Sequence, residues 1–280
     1  MKPKACGKLS SVIRAGISVF VFLSALLLMC GRSYGIADWT VMIYMDGANN
    51  LQGGMIDNFN QIAKVGSSDN VNIVVQIKLK NKEKGVVRRY LVQKFEDKNM
   101  NPNRKNKLVA MNGDGSDNYS DQVNAKYREI LSNWDMGDAN TLLNFVNWAL
   151  TKKGYEANNY MLIIVDHGTG WKGICVDEYS PQEAGRNPNK NPEEIVTKMK
   201  LADLGSKLGS INAIISEKTD REKDKLDILG LDACYMSQVE VMHELKDRAK
   251  YIVASEQLQG DWHYGTTTED PKKTGFLNLM

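Results

Sequence analysis

The chain has 280 residues, 42% of them hydrophobic and 25% charged, with a formal net charge of +2. That length and balance suit one sizeable α/β domain or two small ones and, by themselves, name no function. Of the four cysteines, Cys6 and Cys30 lie within the first 35 residues. This leaves Cys175 and Cys234, too few for a disulfide framework or a four-cysteine zinc site. His167, His243 and His263 form no paired metal-binding spacing.

Lys2, Lys4, Lys8 and Arg14 precede an apolar run from Ala15 to Met29, and small residues follow at Ser33 and Gly35. This order is that of a secretory signal peptide, residues 1–35, with a small-x-small site ending at Gly35. The run is short for a membrane-spanning helix, which needs about 20 apolar residues. A lipid-anchored form would be cut before Cys30, and that is the only reading that attaches the chain to a membrane; Met29 puts a bulky residue where a small one is wanted. Removing residues 1–35 deletes five Lys/Arg and no Asp/Glu, which moves the formal charge from +2 to −3. The mature part then has no dense basic stripe with interleaved aromatics, so nucleic acid is not an expected partner.

Beyond residue 35, WTVMIYM (residues 39–45) reads as a strand buried on both faces, followed by a turn at residues 46–50. Asn49 or Asn50 is placed to cap a helix carrying Leu51, Met55, Ile56, Phe59 and Ile62. Residues 71–79 read as the next strand, and residues 86–95 as another whose looser alternation fits an edge or a hairpin. A polar surface loop is expected over residues 96–122, and a helix over residues 140–152. YMLIIV (residues 160–165) is the clearest central strand, and it ends at Asp166-His167-Gly168-Thr169-Gly170. A polar stretch over residues 179–200 and a helix over residues 201–215 precede a short strand at residues 226–231, which ends at Asp232-Ala233-Cys234. A helix is expected over residues 237–245 and a strand over residues 251–255.

Open α/β sheets bind ligands outside the carboxyl ends of their strands. Two consecutive buried strands here deliver a histidine and a cysteine to what should be one rim. A thiolate nucleophile needs a partner base and donors for an oxyanion, and a cysteine at a helix start would gain from the helix dipole. The plainer alternatives are a buried apolar Cys234 and a hydrogen-bonded turn residue His167. Cys175, in the apolar setting Gly173-Ile174-Cys175-Val176, reads as buried structure and is the second choice of nucleophile.

The stretch from Tyr160 to Trp171, an apolar strand running into Asp-His-Gly-x-Gly-Trp, resembles the histidine motif of the clostripain family of cysteine peptidases. Leu231-Asp232-Ala233-Cys234-Tyr235-Met236 resembles the family's nucleophile motif. Residues 39–51 are similar to its opening strand and turn, and residues 136–142 to the start of the helix before the histidine strand. The likeness spans most of residues 39–262 in the right order.

The resemblance implies a caspase-like α/β sandwich, with a mostly parallel central sheet flanked by helices, over residues 36–280. It implies a dyad of His167 and Cys234, oxyanion donors at the N–H groups of Gly168 and Cys234, and cleavage of protein or peptide substrates after Arg or Lys. Asp232 matches the position that faces the basic side chain, as suits a carboxylate and a guanidinium; the alternative is that Asp232 caps the following helix. Self-cleavage between histidine and cysteine is expected after Arg186 or Lys190, in a stretch where Pro, Asn and Gly neighbours favour exposure. The chemistry needs no redox or organic cofactor. Calcium is implied by some relatives, but no EF-hand-like run of acidic ligands places it. Gly260, Trp262 and Tyr264 keep the family's later element in loosened form, so a C-terminally incomplete domain is expected. The competing function is an exported peptide-binding module that retains the site residues without turnover.

Overall fold

The first apolar run forms β1 (Ala37–Gly47) and leads through helix α1 (Gln52–Val65) to β2 (Val71–Leu79). The structure is a computed structural model that describes residues 36–80, 86–94, 128–131, 134–179, 196–218 and 225–259. Residues 1–35, Arg186, Lys190, His263 and residues 260–280 lie outside the described residues. After β2 come β3 (Val87–Leu91), β4 (Arg128–Leu131) and helix α2 (Ala139–Asn147), which continues as a π-type turn over Trp148–Lys152. Then follow β5 (Ala157–Val165), β6 (Ile174–Asp177), β7 (Thr197–Met199), α3 (Leu201–Lys218) and β8 (Leu226–Asp232). Helix α4 (Val239–Leu245) and β9 (Ala249–Ala254) close the described order.

Among the described residues, seven strands form one sheet in the order β4-β3-β2-β1-β5-β8-β9. The five strands from β2 to β9 in that order run parallel, while β3 and β4 are antiparallel additions at one side. Val41, Ile43 and Met45 point to one face, where α1 packs Met55, Ile56, Phe59 and Ile62 against them. Met42 and Tyr44 point to the other, against Leu142 and Phe145 of α2 and Leu204, Leu208 and Ile211 of α3. A strand covered on both faces has to be apolar at every step, which is why β1 and β5 read as continuous hydrophobic runs. Each large aliphatic side chain buried this way contributes about 1.5–3 kcal/mol. This is the expected α/β sandwich.

Several local expectations need correction. β3 is not an edge: β4 pairs outside it, with Arg89 opposite Glu129, although the hairpin alternative is right for its pairing with β2. β4 is only four residues long, too short for a visible alternation. β7 arises inside the stretch read as polar loop, because its partner β6 supplies the pairing. Neither asparagine is the cap of α1; that position is Leu51, and the Asn49 side-chain oxygen instead accepts the Leu51 N–H at 2.9 Å. Helix α4 starts at Val239 rather than residue 237, so Cys234 does not sit in its first turn. The Tyr235 and Ser237 N–H groups donate to the Gln257 and Ser255 carbonyls, holding residues 235–237 against the segment after β9.

Lys78, near the carboxyl end of β2, is fully buried, and its ammonium is satisfied by the Asp177 carboxylate at 2.5 Å and the carbonyls of Tyr179 at 2.7 Å and Trp134 at 2.9 Å. Asp177 also accepts the Met136 and Tyr179 N–H groups. One charged pair therefore joins β2, the end of β6 and the loop that starts α2. Removing one partner strands a buried charge, so Lys78→Met should destabilise the protein by about 3–5 kcal/mol, read as a lowered urea midpoint at neutral pH.

Candidate active site

The carboxyl ends of β5 and β8 stop level with one another, Val165 opposite Asp232, and the Asp166 N–H extends the pairing to the Asp232 carbonyl at 3.3 Å. Residues just beyond each end therefore meet at one rim. A cleft of about 350 Å³ lies there, and His167, Cys234, Asp232, Asn50, Asn58 and Gln259 are among its lining residues.

His167 is half-buried, and its Nε2 lies 2.7 Å from Asn50 Oδ1. Burial pushes its pKa below the usual imidazole value, against the opposing influence of Glu178. The neighbouring Asp166 is buried at the edge of the same cleft. It accepts from Asn49 Nδ2 at 2.7 Å, from the Val176 N–H and from the His167 N–H. Burial lifts its carboxyl to about 8, although these three donors act in the opposite direction.

Gly168 follows, bridged to Ile174, and a Cβ there would lie 2.3 Å from the Cys234 carbonyl oxygen and 2.9 Å from the Cys234 nitrogen. Only a residue without a side chain lets the histidine loop approach the cysteine turn so closely. Among the described residues, the Gly168 and Cys234 N–H groups donate to no other protein atom.

Cys234 is half-buried, and its Sγ accepts the Gln259 N–H at 3.2 Å. Tyr235, directly after it, has a left-handed backbone with φ of 61°. A bulky residue there is strained, and such strain clusters at functional turns. Asp232 is 6% exposed at the end of β8 and lines the same cleft. It does not cap the next helix, whose cap position is Gln238.

Cys175, the second choice of nucleophile, is fully buried at a bulge in β6, with φ of 60°. Burial first, and then Asp166, Asp46 and Asp177, push its thiol well above the ordinary range. It is structural. His243 is exposed on α4. Among the described residues no group of three or more His, Cys, Asp or Glu is arranged to hold a metal ion.

Sequence reading missed the roles of Asn49, Asn50 and Asp166. The sole signal was their polarity beside two strand ends, and it says nothing about which strands are neighbours.

The sheet and its rim are those of an α/β protein with a histidine and a cysteine just beyond the carboxyl ends of two neighbouring parallel strands. The chain belongs to the clostripain family, whose sequence profile matches residues 43–266. It is 26% identical over 218 residues to clostripain of Hathewaya histolytica, covering 74% of this chain and 36% of that protein. It is similar to the solved structure of a secreted C11 cysteine protease from Bacteroides thetaiotaomicron in complex with an irreversible peptide inhibitor. That likeness is 21% in identity with a TM-score of 0.48, over 80% of this chain and 50% of the other. It is also similar to an inactive zymogen C11 protease from Parabacteroides distasonis, with 19% identity and a TM-score of 0.46, over 81% of this chain and 51% of the other. The chain thus spans about a third of clostripain's length and about half that of the two solved proteins.

Burial holds the Asp166 carboxyl above the ordinary carboxyl range. A carboxyl raised in this way keeps a proton in the native state that the unfolded chain has released. Its contribution to stability is complete below about pH 4 and is lost as pH rises through the native value. For Asp166 the window runs from about 4 to about 8. The denaturant midpoint of Asp166→Asn should therefore fall less between about pH 5 and about pH 8 than that of the wild type. Equal slopes would mean that the native Asp166 is ionised throughout.

Proposed function

We propose that this protein is an exported cysteine endopeptidase that cleaves after Arg or Lys, with Cys234 as nucleophile and His167 as its proton partner. The observation that carries the reading is that both side chains line one cleft at the level ends of two paired parallel strands. The sulfur attacks the scissile carbonyl carbon, and the resulting oxyanion takes the N–H groups of Gly168 and Cys234. The imidazole passes its proton to the leaving amine, and water then releases the acyl group from sulfur. No redox or organic cofactor enters these steps.

Asp232 gives the cleft its basic preference. Its carboxylate is nearly buried and lines the same space as the dyad, and a desolvated carboxylate binds a guanidinium or ammonium strongly. Export follows from the order of charged, apolar and small residues in 1–35, and the Bacteroides thetaiotaomicron relative is itself described as secreted. Self-cleavage after Arg186 or Lys190 would cut the chain between the histidine and the cysteine.

Fluorogenic peptides with Arg, Lys or an acidic residue before the scissile bond test this reading on the purified chain. Turnover of the Arg or Lys peptides should vanish in Cys234→Ala, and Asp232→Asn should lower kcat/KM for them by at least about tenfold, the loss of a charge-assisted contact. On a denaturing gel, wild-type chain should resolve into two fragments where Cys234→Ala stays whole. Peptide binding without turnover would assign a binding module instead.

A further inference from the structure

Asn50 is exposed at the end of the β1 turn and yet makes the one side-chain hydrogen bond found for the His167 ring among the described residues, Oδ1 to Nε2 at 2.7 Å. Its place is not accidental to a loose loop. Asn49, one residue earlier, donates from Nδ2 both to Asp166 Oδ1 at 2.7 Å and to the Val176 carbonyl at 2.9 Å. The Asn49 side-chain oxygen closes the turn on the Leu51 N–H, and the Ala48 carbonyl accepts the Glu178 N–H at 3.2 Å. Asp166 in turn accepts the N–H of His167 itself. The Asp166 side chain thus also fixes the turn that presents Asn50.

We propose that Asn50 is a positioning residue for His167: its Oδ1 holds the imidazole in the Nε2-protonated tautomer and leaves Nδ1 as the basic nitrogen of the ring. A side-chain amide oxygen only accepts, so the nitrogen facing it carries the proton. Being neutral, Asn50 does this without adding a negative charge beside the ring. A carboxylate at the same place would orient the ring equally well but would stabilise the imidazolium. The assignment of a catalytic role to this orientation rests on the His167 and Cys234 dyad proposed above; the tautomer itself does not.

The test uses the full chain carrying Cys234→Ala, labelled with 15N-histidine, with the three histidines assigned through His167→Gln. At pH above the His167 transition, its ring should show a protonated Nε2 and an unprotonated Nδ1. Asn50→Leu should shift the population toward a tautomer mixture, and Asn50→Asp should raise the His167 midpoint by about one pH unit or more. The signal of His243, on α4, serves as a control and should not move. In the chain with Cys234 intact, Asn50→Leu should lower kcat by at least about tenfold with little change in KM. Unchanged His167 tautomer and midpoint in both Asn50 variants would overturn the proposal even if Cys234 proved essential. A tautomer shift in a chain whose turnover is indifferent to Cys234→Ala would uphold the Asn50 contact while sinking the dyad.

Discussion

The level termination of β5 and β8 is the constraint on which the site depends. In a parallel pair, register decides how far apart two loop residues begin, and Val165 opposite Asp232 lets the histidine and cysteine loops leave the sheet at the same height. A slip of one residue would turn every side chain of β8 to the opposite face, exchanging Leu229 and Leu231 in this core for Ile228 and Gly230 and leaving space unfilled where Leu231 packs. Core packing therefore enforces the alignment of the site, since the register that fills the core also brings the two loops together.

A layer of buried ionisable groups sits under the rim. Asp166, Asp46, Asp177 and Lys78 are all withdrawn from water, and burial of carboxylates is costly unless donors satisfy them. Most of these groups are answered: Asp166 by Asn49, Val176 and His167, Asp177 by Lys78, Met136 and Tyr179. Asp46 takes the Ala48 N–H on one oxygen, while its other oxygen has no partner among the described residues. The network crosses from β1 to β6 and from β2 to the start of α2, linking segments that the backbone ladder does not join. It converts loops at the rim into fixed supports for Asn50 and His167.

Close approach sets the other half of the geometry. Gly168 lets the histidine loop rest on the backbone of Cys234, and the left-handed Tyr235 turns the chain sharply after that cysteine. The turn is held by the segment after β9 rather than by an early start of α4, so a helix dipole is not what faces the sulfur; the N–H of Gln259 is. Cys175, with its apolar neighbours, shows the contrast. It shares the left-handed backbone but is sealed among carboxylates, where a thiolate is disfavoured.

The amino-acid sequence by itself determined the strands and helices whose burial pattern is local: β1, β2, β5 and β8 as continuous apolar runs, α1, α2 and α3 by helical spacing, and the His167 and Cys234 motifs at two strand ends. Those features are legible because hydrophobic periodicity and turn residues act within one segment. The tertiary structure alone decided strand order, and with it the pairing of β5 with both β1 and β8 that sets Asn50 against His167 and Gly168 against Cys234. It also decided the short strands β4 and β7, which owe their form to partners far away in the chain. The physical reason is the same in each case: a contact between residues distant in the chain, 117 positions apart for Asn50 and His167, leaves no periodicity in either segment, and the partner is supplied by the fold.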